Sequence, residues 1–201
     1  MPGCLCPKTR MFDPGTRTIK SFCTRGWTCP HGEGGWAKVR YYQRWFGHIK
    51  WDSMMTLTHD VRFAPPASRV LRARKEFLEA LKAAQRKYGF KFLWALGVGK
   101  NGYIHHHVLI LGRAPSRRWM RRIWREVTGC EQVHIRPARP GDLYYLLACN
   151  ALQVPNIYED PRFTLENMRG LERLQRVNHS RDIAPRPPKK GYKYLGLRMT
   201  D

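Results

Sequence analysis

Four short apolar runs in the middle of the chain predict β-strands. They are rich in β-branched and aromatic residues and are bounded by polar or glycine-containing segments. The predicted strands are 51–58, 91–98, 104–111 and the segment "EQVHIRPA" at 131–138. Asn101-Gly102 lies between the second and third runs and predicts a tight hairpin that pairs them antiparallel.

Helices are predicted between and after these strands. Apolar residues recur at three- and four-residue spacing after Ser68, and Gly89 ends this helix. A basic amphipathic helix, "SRRWMRRIWREVTGC", has Ser116 as a suitable N-cap and Gly129 as its stop. A third helix, "GDLYYLLACNAL", has Asp142 near its start.

The order of these elements indicates the fold class. Strand, helix, strand, strand, helix and strand follow one another, as in a ferredoxin-like split βαβ unit. We therefore expect an α+β fold with a mainly antiparallel sheet and helices on one face. Residues 46–155 would form this core. Residues 1–45 would be an irregular Cys- and Gly-rich segment, and 156–201 a helical and basic C-terminal extension that includes "TLENMRGLERLQ".

The charge of the chain indicates the kind of partner. Lys and Arg total 37 against 15 Asp and Glu, which gives a formal net charge of +22. Such an excess repels itself in a folded protein and is offset by a polyanionic partner. Because Trp and Tyr are interleaved with the basic runs, we expect single-stranded nucleic acid, whose bases stack on aromatic rings. No apolar run has the length of a membrane span or of a signal peptide, so we expect no membrane partner and a cytoplasmic location.

Cysteine usage suggests metal chemistry near the N-terminus. Four of the six cysteines precede residue 30, and without a secretion signal they are not expected to form disulfides. Thiolates and one imidazole in this Gly- and Pro-rich segment would suit a structural Zn²⁺. The candidate zinc ligands are Cys4, Cys6, Cys23, Cys29 and His31. Their spacing is irregular, so free and partly buried thiols are the alternative.

Three consecutive histidines stand inside the third predicted strand, in "GYIHHHVLI". Since alternate residues of a strand share a face, His105 and His107 point one way, and His106 points the other way with Val108 and Ile110. Two imidazoles on one face converge on a single divalent ion, for which histidine is a common ligand. The alternative is a trio of half-exposed histidines without a ligand.

The histidine strand resembles the metal-binding strand of the HUH endonuclease superfamily, in which Gly precedes a His-apolar-His motif. Thr56-Leu57-Thr58 is similar to the upstream strand motif of rolling-circle replication initiators of phages and plasmids. "DLYYLLACN" lies where the tyrosine helix of those initiators belongs, and "RVNHSRDI" resembles their closing SR segment. Together these motifs span about residues 50–183 and occur in the initiator order.

This resemblance implies an HUH endonuclease fold and a site-specific endonuclease that acts on single-stranded DNA at a replication origin. Cleavage would leave a covalent 5′-phosphotyrosine and a free 3′-hydroxyl, and the strand could later be rejoined. The resemblance also implies Mn²⁺ or Mg²⁺ on His105 and His107. Relatives often carry a Glu ligand on the preceding strand, but no carboxylate stands near Gly97, so His59 and Asp60 are the candidate third ligands.

The family pattern Y-x-x-K-Y selects Tyr145 as the catalytic nucleophile. Tyr144 is the alternative, because the two tyrosines flank the apolar face of the helix on opposite sides. Ala148 and Cys149 stand where the pattern has Lys and a second Tyr, so a two-tyrosine mechanism is not expected. No helicase motif is present, so a helicase and a polymerase of a bacterial or archaeal host are expected partners.

Two other functions fit part of these features. An HUH-type transposase would share the histidine pair and the downstream tyrosine. A basic protein that binds single-stranded DNA, or a zinc-dependent regulatory protein, would carry the histidines without catalytic use.

Overall fold

The computed structural model describes residues 8–13, 16–23, 33–59, 67–98, 104–148, 177–185 and 193–198. Its strands are β1 (Lys8–Asp13), β2 (Thr18–Cys23), β3 (Ser53–Thr58), β4 (Lys91–Val98), β5 (Ile104–Leu111), β6 (Val133–Pro137), β7 (Val177–His179) and β8 (Lys193–Arg198). Its helices are α1 (Glu33–Phe46), α2 (Ala67–Tyr88), α3 (Arg117–Thr128) and α4, which covers 142–148. None of the helices among these residues has the length and apolarity that a membrane span requires.

Five strands form an antiparallel sheet in the order β6-β3-β5-β4-β7. The four strands predicted from the sequence occupy its first four positions, and β4 and β5 form the predicted hairpin pair. This arrangement confirms an α+β fold and is compatible with a ferredoxin-like split βαβ unit. The histidine strand β5 lies at the centre of the sheet, between β3 and β4.

One face of the sheet packs against α2 and α3. The apolar positions of both helices recur every three or four residues and meet the alternate residues of the strands that point towards them. The fully buried side chains of this core include Phe77 and Leu81 of α2, Trp124 of α3, and Trp94 and Val108 of the sheet. This face therefore has the helical cover that the sequence predicts.

The opposite face is covered by α1 and α4. Val39 and Phe46 of α1 and Leu146 and Leu147 of α4 are buried against Leu109 and its neighbours on the sheet. The expectation that helices cover only one face was therefore wrong. Burial of apolar side chains on both faces explains why a central strand such as β5 has almost no exposed positions.

The expectation of an irregular N-terminal segment is also corrected. Strands β1 and β2 pair antiparallel, and β8 joins β1 from the other end of the chain. Because β1 and β8 are separated by most of the chain, their pairing leaves no local pattern in the sequence. The apolar stripe of α1 makes this helix part of the core rather than of an appendage. Strand β7 likewise extends the five-stranded sheet beyond the predicted boundary at 155, whereas the predicted helix at 164–175 lies outside the described residues.

Helix α3 begins and ends at the residues that the sequence indicates. The Ser116 hydroxyl accepts a hydrogen bond from the backbone N–H of Trp119 at 3.2 Å, which satisfies one of the unpaired N–H groups of the first turn. Gly129 takes a left-handed conformation with φ 77°, and its N–H donates to the Arg125 carbonyl at 2.8 Å. Both ends of the helix are thus closed by the chain itself.

Ser116→Ala is expected to lower the free energy of unfolding by about 1 kcal/mol, because it leaves an N–H of the first helical turn without its acceptor. Urea denaturation followed by circular dichroism measures this difference. Ser116→Asp keeps a side-chain acceptor and serves as the control, with a stability close to that of the unsubstituted protein. Equal midpoints for the Ala and Asp variants would contradict the capping role.

Candidate functional site

The backbone of β5 separates its three histidines onto two faces. His105 and His107 lie on the α1 and α4 side with their ring centroids 4.7 Å apart, as the alternation predicts. His106 lies on the other side with Val108 and Ile110. The structure therefore brings together the two imidazoles that the sequence pairs. His105 is half-buried and His107 is almost fully buried.

His107 has one partnered and one unpartnered ring nitrogen. Its Nδ1 lies 3.1 Å from the Thr56 hydroxyl oxygen, on the neighbouring strand. Its Nε2 is buried and has no hydrogen-bond partner among the described residues. When Nδ1–H donates to the Thr56 hydroxyl, Nε2 carries a lone pair that is available to a cation. Few buried polar atoms of folded proteins are left without a partner, and a bound ion is one of the explanations for such an atom.

Burial keeps His107 in the neutral form that binds metals. Burial, and then the positive charges of His105 and Arg136, lower the pKa of His107 to about 3, against a smaller opposing effect of Asp142. A neutral imidazole offers its lone pair to a cation without first losing a proton. The ring is therefore ready to act as a ligand at neutral pH.

The absence of a side chain at Gly97 makes room for the two rings. Gly97 stands opposite His105 in the register of β4 and β5. A Cβ at this position would lie 2.7 Å from His105 Nε2, closer than real Cβ contacts come, and 3.2 Å from His107 Cδ2, a tight contact. A side chain at Gly97 would therefore displace the His105 ring.

Helix α4 brings a tyrosine to the pair. The ring of Tyr145 lies edge-on to His107 with the centroids 5.3 Å apart, and the residue is 50% exposed. Tyr144 instead stacks on Trp36 of α1, with the centroids 6.1 Å apart. The structure therefore places Tyr145, rather than Tyr144, beside the histidines, with part of its surface open to a substrate.

An ion pair holds the start of α4 against the sheet. Arg136 of β6 donates from both terminal nitrogens to the Asp142 carboxylate, at 2.7 and 2.6 Å, and the Arg139 backbone N–H donates to the same group. The Asp142 and Arg136 side chains are only 10% and 26% exposed. The pKa of Arg136 is raised, mainly by these hydrogen bonds and also by the negative charge of a Tyr145 phenolate. The guanidinium therefore fixes the start of the helix against the sheet.

His106 belongs to the core and not to the site. Trp94 Nε1–H donates to His106 Nδ1 at 3.0 Å, so a neutral His106 carries its proton on Nε2, which lies 3.0 Å from His59 Nε2. Burial, and then the positive charges of neighbouring histidines and of Arg74, hold the pKa of His106 well below its ordinary value. Both ring nitrogens of this buried histidine are thus satisfied by hydrogen bonds.

The same contacts correct the expectation for His59. His59 is buried beside His106 and Trp124, on the opposite face of the sheet from His105 and His107, so it does not join that pair as a third ligand. Asp60 lies outside the described residues. In the part of the chain that the structure describes, no group of three or more His, Cys, Asp or Glu side chains is arranged around a metal position.

The candidate zinc ligands lie outside the described side chains. These are Cys4, Cys6, Cys23, Cys29 and His31, of which only Cys23 has a described backbone, at the end of β2. Among the described residues, Cys130 is a free thiol at the end of α3. The zinc site therefore stays a prediction.

Sequence reasoning missed three contributors to the site. The strand propensity of threonine hides the role of Thr56, which the register pairs with His107. Arg136 and Asp142 lie six residues apart on different elements, and no local pattern marks such a pair. The alternation of side chains between the two faces is a usable signal for Thr56. A threonine that is the register partner of a site histidine on the neighbouring strand lies on the same face as that histidine.

Asp142→Asn is expected to lower the free energy of unfolding at pH 7 by about 1.5–3 kcal/mol, since it weakens hydrogen bonds to a charged group. Arg136, through its hydrogen bonds, lowers the pKa of Asp142 below its usual value. The pair therefore stabilises the fold above the unfolded-state pKa, which is about 3.9, and this contribution is lost as the pH falls through the folded-state pKa. Urea denaturation at several pH values should show the two proteins converging in acid. A difference that stays constant down to about pH 2 would contradict the ion-pair explanation.

Comparison with protein-family models, with curated proteins and with solved structures gives no match for the chain. What the chain does is therefore inferred from the positions of its own side chains. The paired imidazoles of His105 and His107, the buried free nitrogen of His107 and the adjacent phenol of Tyr145 are the groups that this inference has to explain.

Proposed function

We propose that the chain is a metal-dependent endonuclease that cuts and rejoins single-stranded DNA through a covalent phosphotyrosine. One observation carries the proposal: Tyr145 lies against a pair of same-face imidazoles, one of which has a buried nitrogen without a partner among the described residues. A nucleophile next to a cation site is the arrangement that phosphodiester cleavage requires. The resemblance of the motif order to rolling-circle initiators supports the same reaction.

His105 and His107 would hold a divalent cation, Mn²⁺ or Mg²⁺, through their ring nitrogens. Such an ion supplies neutralisation of the negative charge that develops on the scissile phosphate. Thr56 would fix the orientation of the His107 ring through Nδ1, and the absence of a side chain at Gly97 leaves the space that the His105 ring occupies. These features support two adjacent imidazoles as the protein ligands of the cation.

Tyr145 would be the nucleophile. Its oxygen attacks the scissile phosphorus and forms a new P–O bond, while the bond from phosphorus to the 3′ oxygen breaks. The phosphate stays on the 5′ end of the downstream DNA. The phenol proton is lost to solvent and the departing 3′ oxygen takes up a proton, so the products are a 5′-phosphotyrosine and a free 3′-hydroxyl. A cation held at His105 and His107, beside the Tyr145 ring, would stabilise the anionic nucleophile. Reversal of the same steps rejoins the strand without another energy source.

The charge of the chain agrees with this substrate. A net charge of +22 attracts a polyanion and holds it near the site. The proposed biological role is initiation of rolling-circle replication in the cytoplasm of a bacterial or archaeal host. Host helicase and polymerase would then open the duplex and extend the free 3′-hydroxyl.

Tyr145→Phe is expected to abolish covalent attachment, because it removes the oxygen that forms the phosphotyrosine. The measurement is a denaturing gel of protein mixed with labelled single-stranded oligonucleotides of varied sequence and Mn²⁺. Tyr144→Phe is the matched control and should keep the shifted band, whereas EDTA should remove it. A shifted band with Tyr145→Phe, or loss of the band only with Tyr144→Phe, would contradict the assignment. A salt-sensitive complex without any covalent band would favour a non-enzymatic DNA-binding protein.

Thr56→Val is expected to weaken Mn²⁺ binding by about 10–100-fold, because it removes the group that orients the His107 ring while keeping the shape of the side chain. Titration of the protein with Mn²⁺, followed by electron paramagnetic resonance of the free ion, measures the affinity. Thr56→Ser, which keeps the hydroxyl, is the control and should bind Mn²⁺ almost normally. Equal affinities for the two variants would show that Thr56 does not position the ligand.

A further inference from the structure

We propose that a groove at the β6 edge of the sheet binds the stretch of single-stranded DNA next to the scissile phosphate. The proposal rests on the proposed function, and it adds the direction in which the substrate leaves the site. The groove has a volume of about 450 Å³. The side chains that would contact the DNA are Thr56, Thr58, Arg117, Arg121, Gln132 and His134.

The groove is continuous with the candidate site. Thr56, which contacts His107 Nδ1 at 3.1 Å, also lines the groove. In the sheet register His107, Thr56 and His134 stand side by side on β5, β3 and β6, so their side chains share one face. A strand held at His107 therefore has a direct polar route to the β6 edge.

Two arginines give the groove its positive charge. Arg117 and Arg121 lie one helical turn apart on α3, so both side chains reach the same side of the helix. Glu131 also lines the groove, but its carboxylate is engaged by Arg125 at 2.8 Å. The acidic charge beside the groove is therefore largely offset, and the two arginines are left to neutralise phosphates.

Two further arginines of α3 lie outside the groove. Arg118 and Arg122 are one helical turn apart, and both are exposed. Neither arginine lines the groove. These two residues therefore offer a matched control on the same helix, with the same charge and similar exposure.

A second basic groove, which Lys82, Arg86, Lys91 and Arg181 line, is the competing position for a polyanion. Its Lys91 is already paired with Asp182 at 3.2 Å. The groove also lies at the C-terminal end of α2, where the unpaired carbonyl groups of the helix carry partial negative charge. Both features weaken the binding of a phosphate in the second groove. The β6 groove, in contrast, shares Thr56 with the candidate site.

The lining also indicates how the DNA is contacted. The side chains of Thr58, Gln132 and His134 offer hydroxyl, amide and imidazole groups rather than large aromatic faces. Hydrogen bonding to exposed base edges, together with phosphate contacts from the arginines, is the mode that such a lining supports. Hydrogen bonds in this groove, rather than stacking of bases on aromatic rings, would then contribute to the choice of the sequence that is cut.

The test measures binding separately from cleavage. Tyr145→Phe protein in EDTA cannot cut, so its affinity for a fluorescent single-stranded oligonucleotide is measured by anisotropy between about 50 and 200 mM salt. Each arginine that no longer neutralises a phosphate should reduce the slope of log affinity against log salt by about 0.7. Adding Arg117→Ala and Arg121→Ala together should therefore weaken binding and reduce the slope by about 1.4. Adding Arg118→Ala and Arg122→Ala instead should leave the slope nearly unchanged.

Arg117 also donates to the Val133 carbonyl at 3.3 Å, so its removal alters the packing of α3 on β6. Arg121→Ala alone keeps that hydrogen bond and should reduce the slope by about 0.7. Equal slopes for Arg121→Ala and the unsubstituted background, or equal effects of the groove pair and the control pair, would overturn the proposal. If no nicking occurs but the slopes differ as expected, the groove stands and the catalytic proposal fails. If nicking occurs with unchanged slopes, only the groove fails.

Discussion

The side-chain alternation of the central strand β5 is the constraint on which the site depends. Hydrogen bonding to β3 on one side and β4 on the other fixes the register of His105, His106 and His107. A slip of one residue would exchange every buried side chain of the strand between the two cores, to the detriment of both. The separation of one structural histidine from two site histidines therefore follows directly from the packing of the sheet.

Two ways of burying an imidazole occur on the same strand, and they differ in free energy. His106 has partners on both nitrogens, so its burial is compensated. Among the residues that the structure describes, His107 has a partner only on Nδ1, and a buried polar group without a partner costs about 1–3 kcal/mol. Natural sequences retain such a cost at sites where a ligand removes it. This difference separates a histidine whose hydrogen bonds belong to the core from a histidine that has a nitrogen available to a ligand.

Sequence patterns were informative where the interactions are local, and failed where they are not. The strands at 91–98 and 104–111, the caps of α3 and the parity of the histidines all follow from short-range patterns, and the structure agrees with them. The choice between Tyr144 and Tyr145 depends on how α4 docks, and the periodicity of α4 is the same for both. That docking is set by the contact of Asp142 with Arg136 on another element, and β1 pairs with a strand at the far end of the chain. Neither contact leaves a pattern that can be seen before the chain is folded.

Positive charge and the geometry of the candidate site act over different ranges. At physiological salt a charge is screened within about 8 Å, so most of the +22 excess would attract any polyanion and select no particular phosphate. In the proposed function, selection would depend on groups in contact with the DNA strand, namely the ring nitrogens of His105 and His107, the phenol of Tyr145 and the side chains of the adjoining groove. Affinity for DNA and the choice of the bond to be cut would then be carried by separate residues, and substitutions would change one without the other.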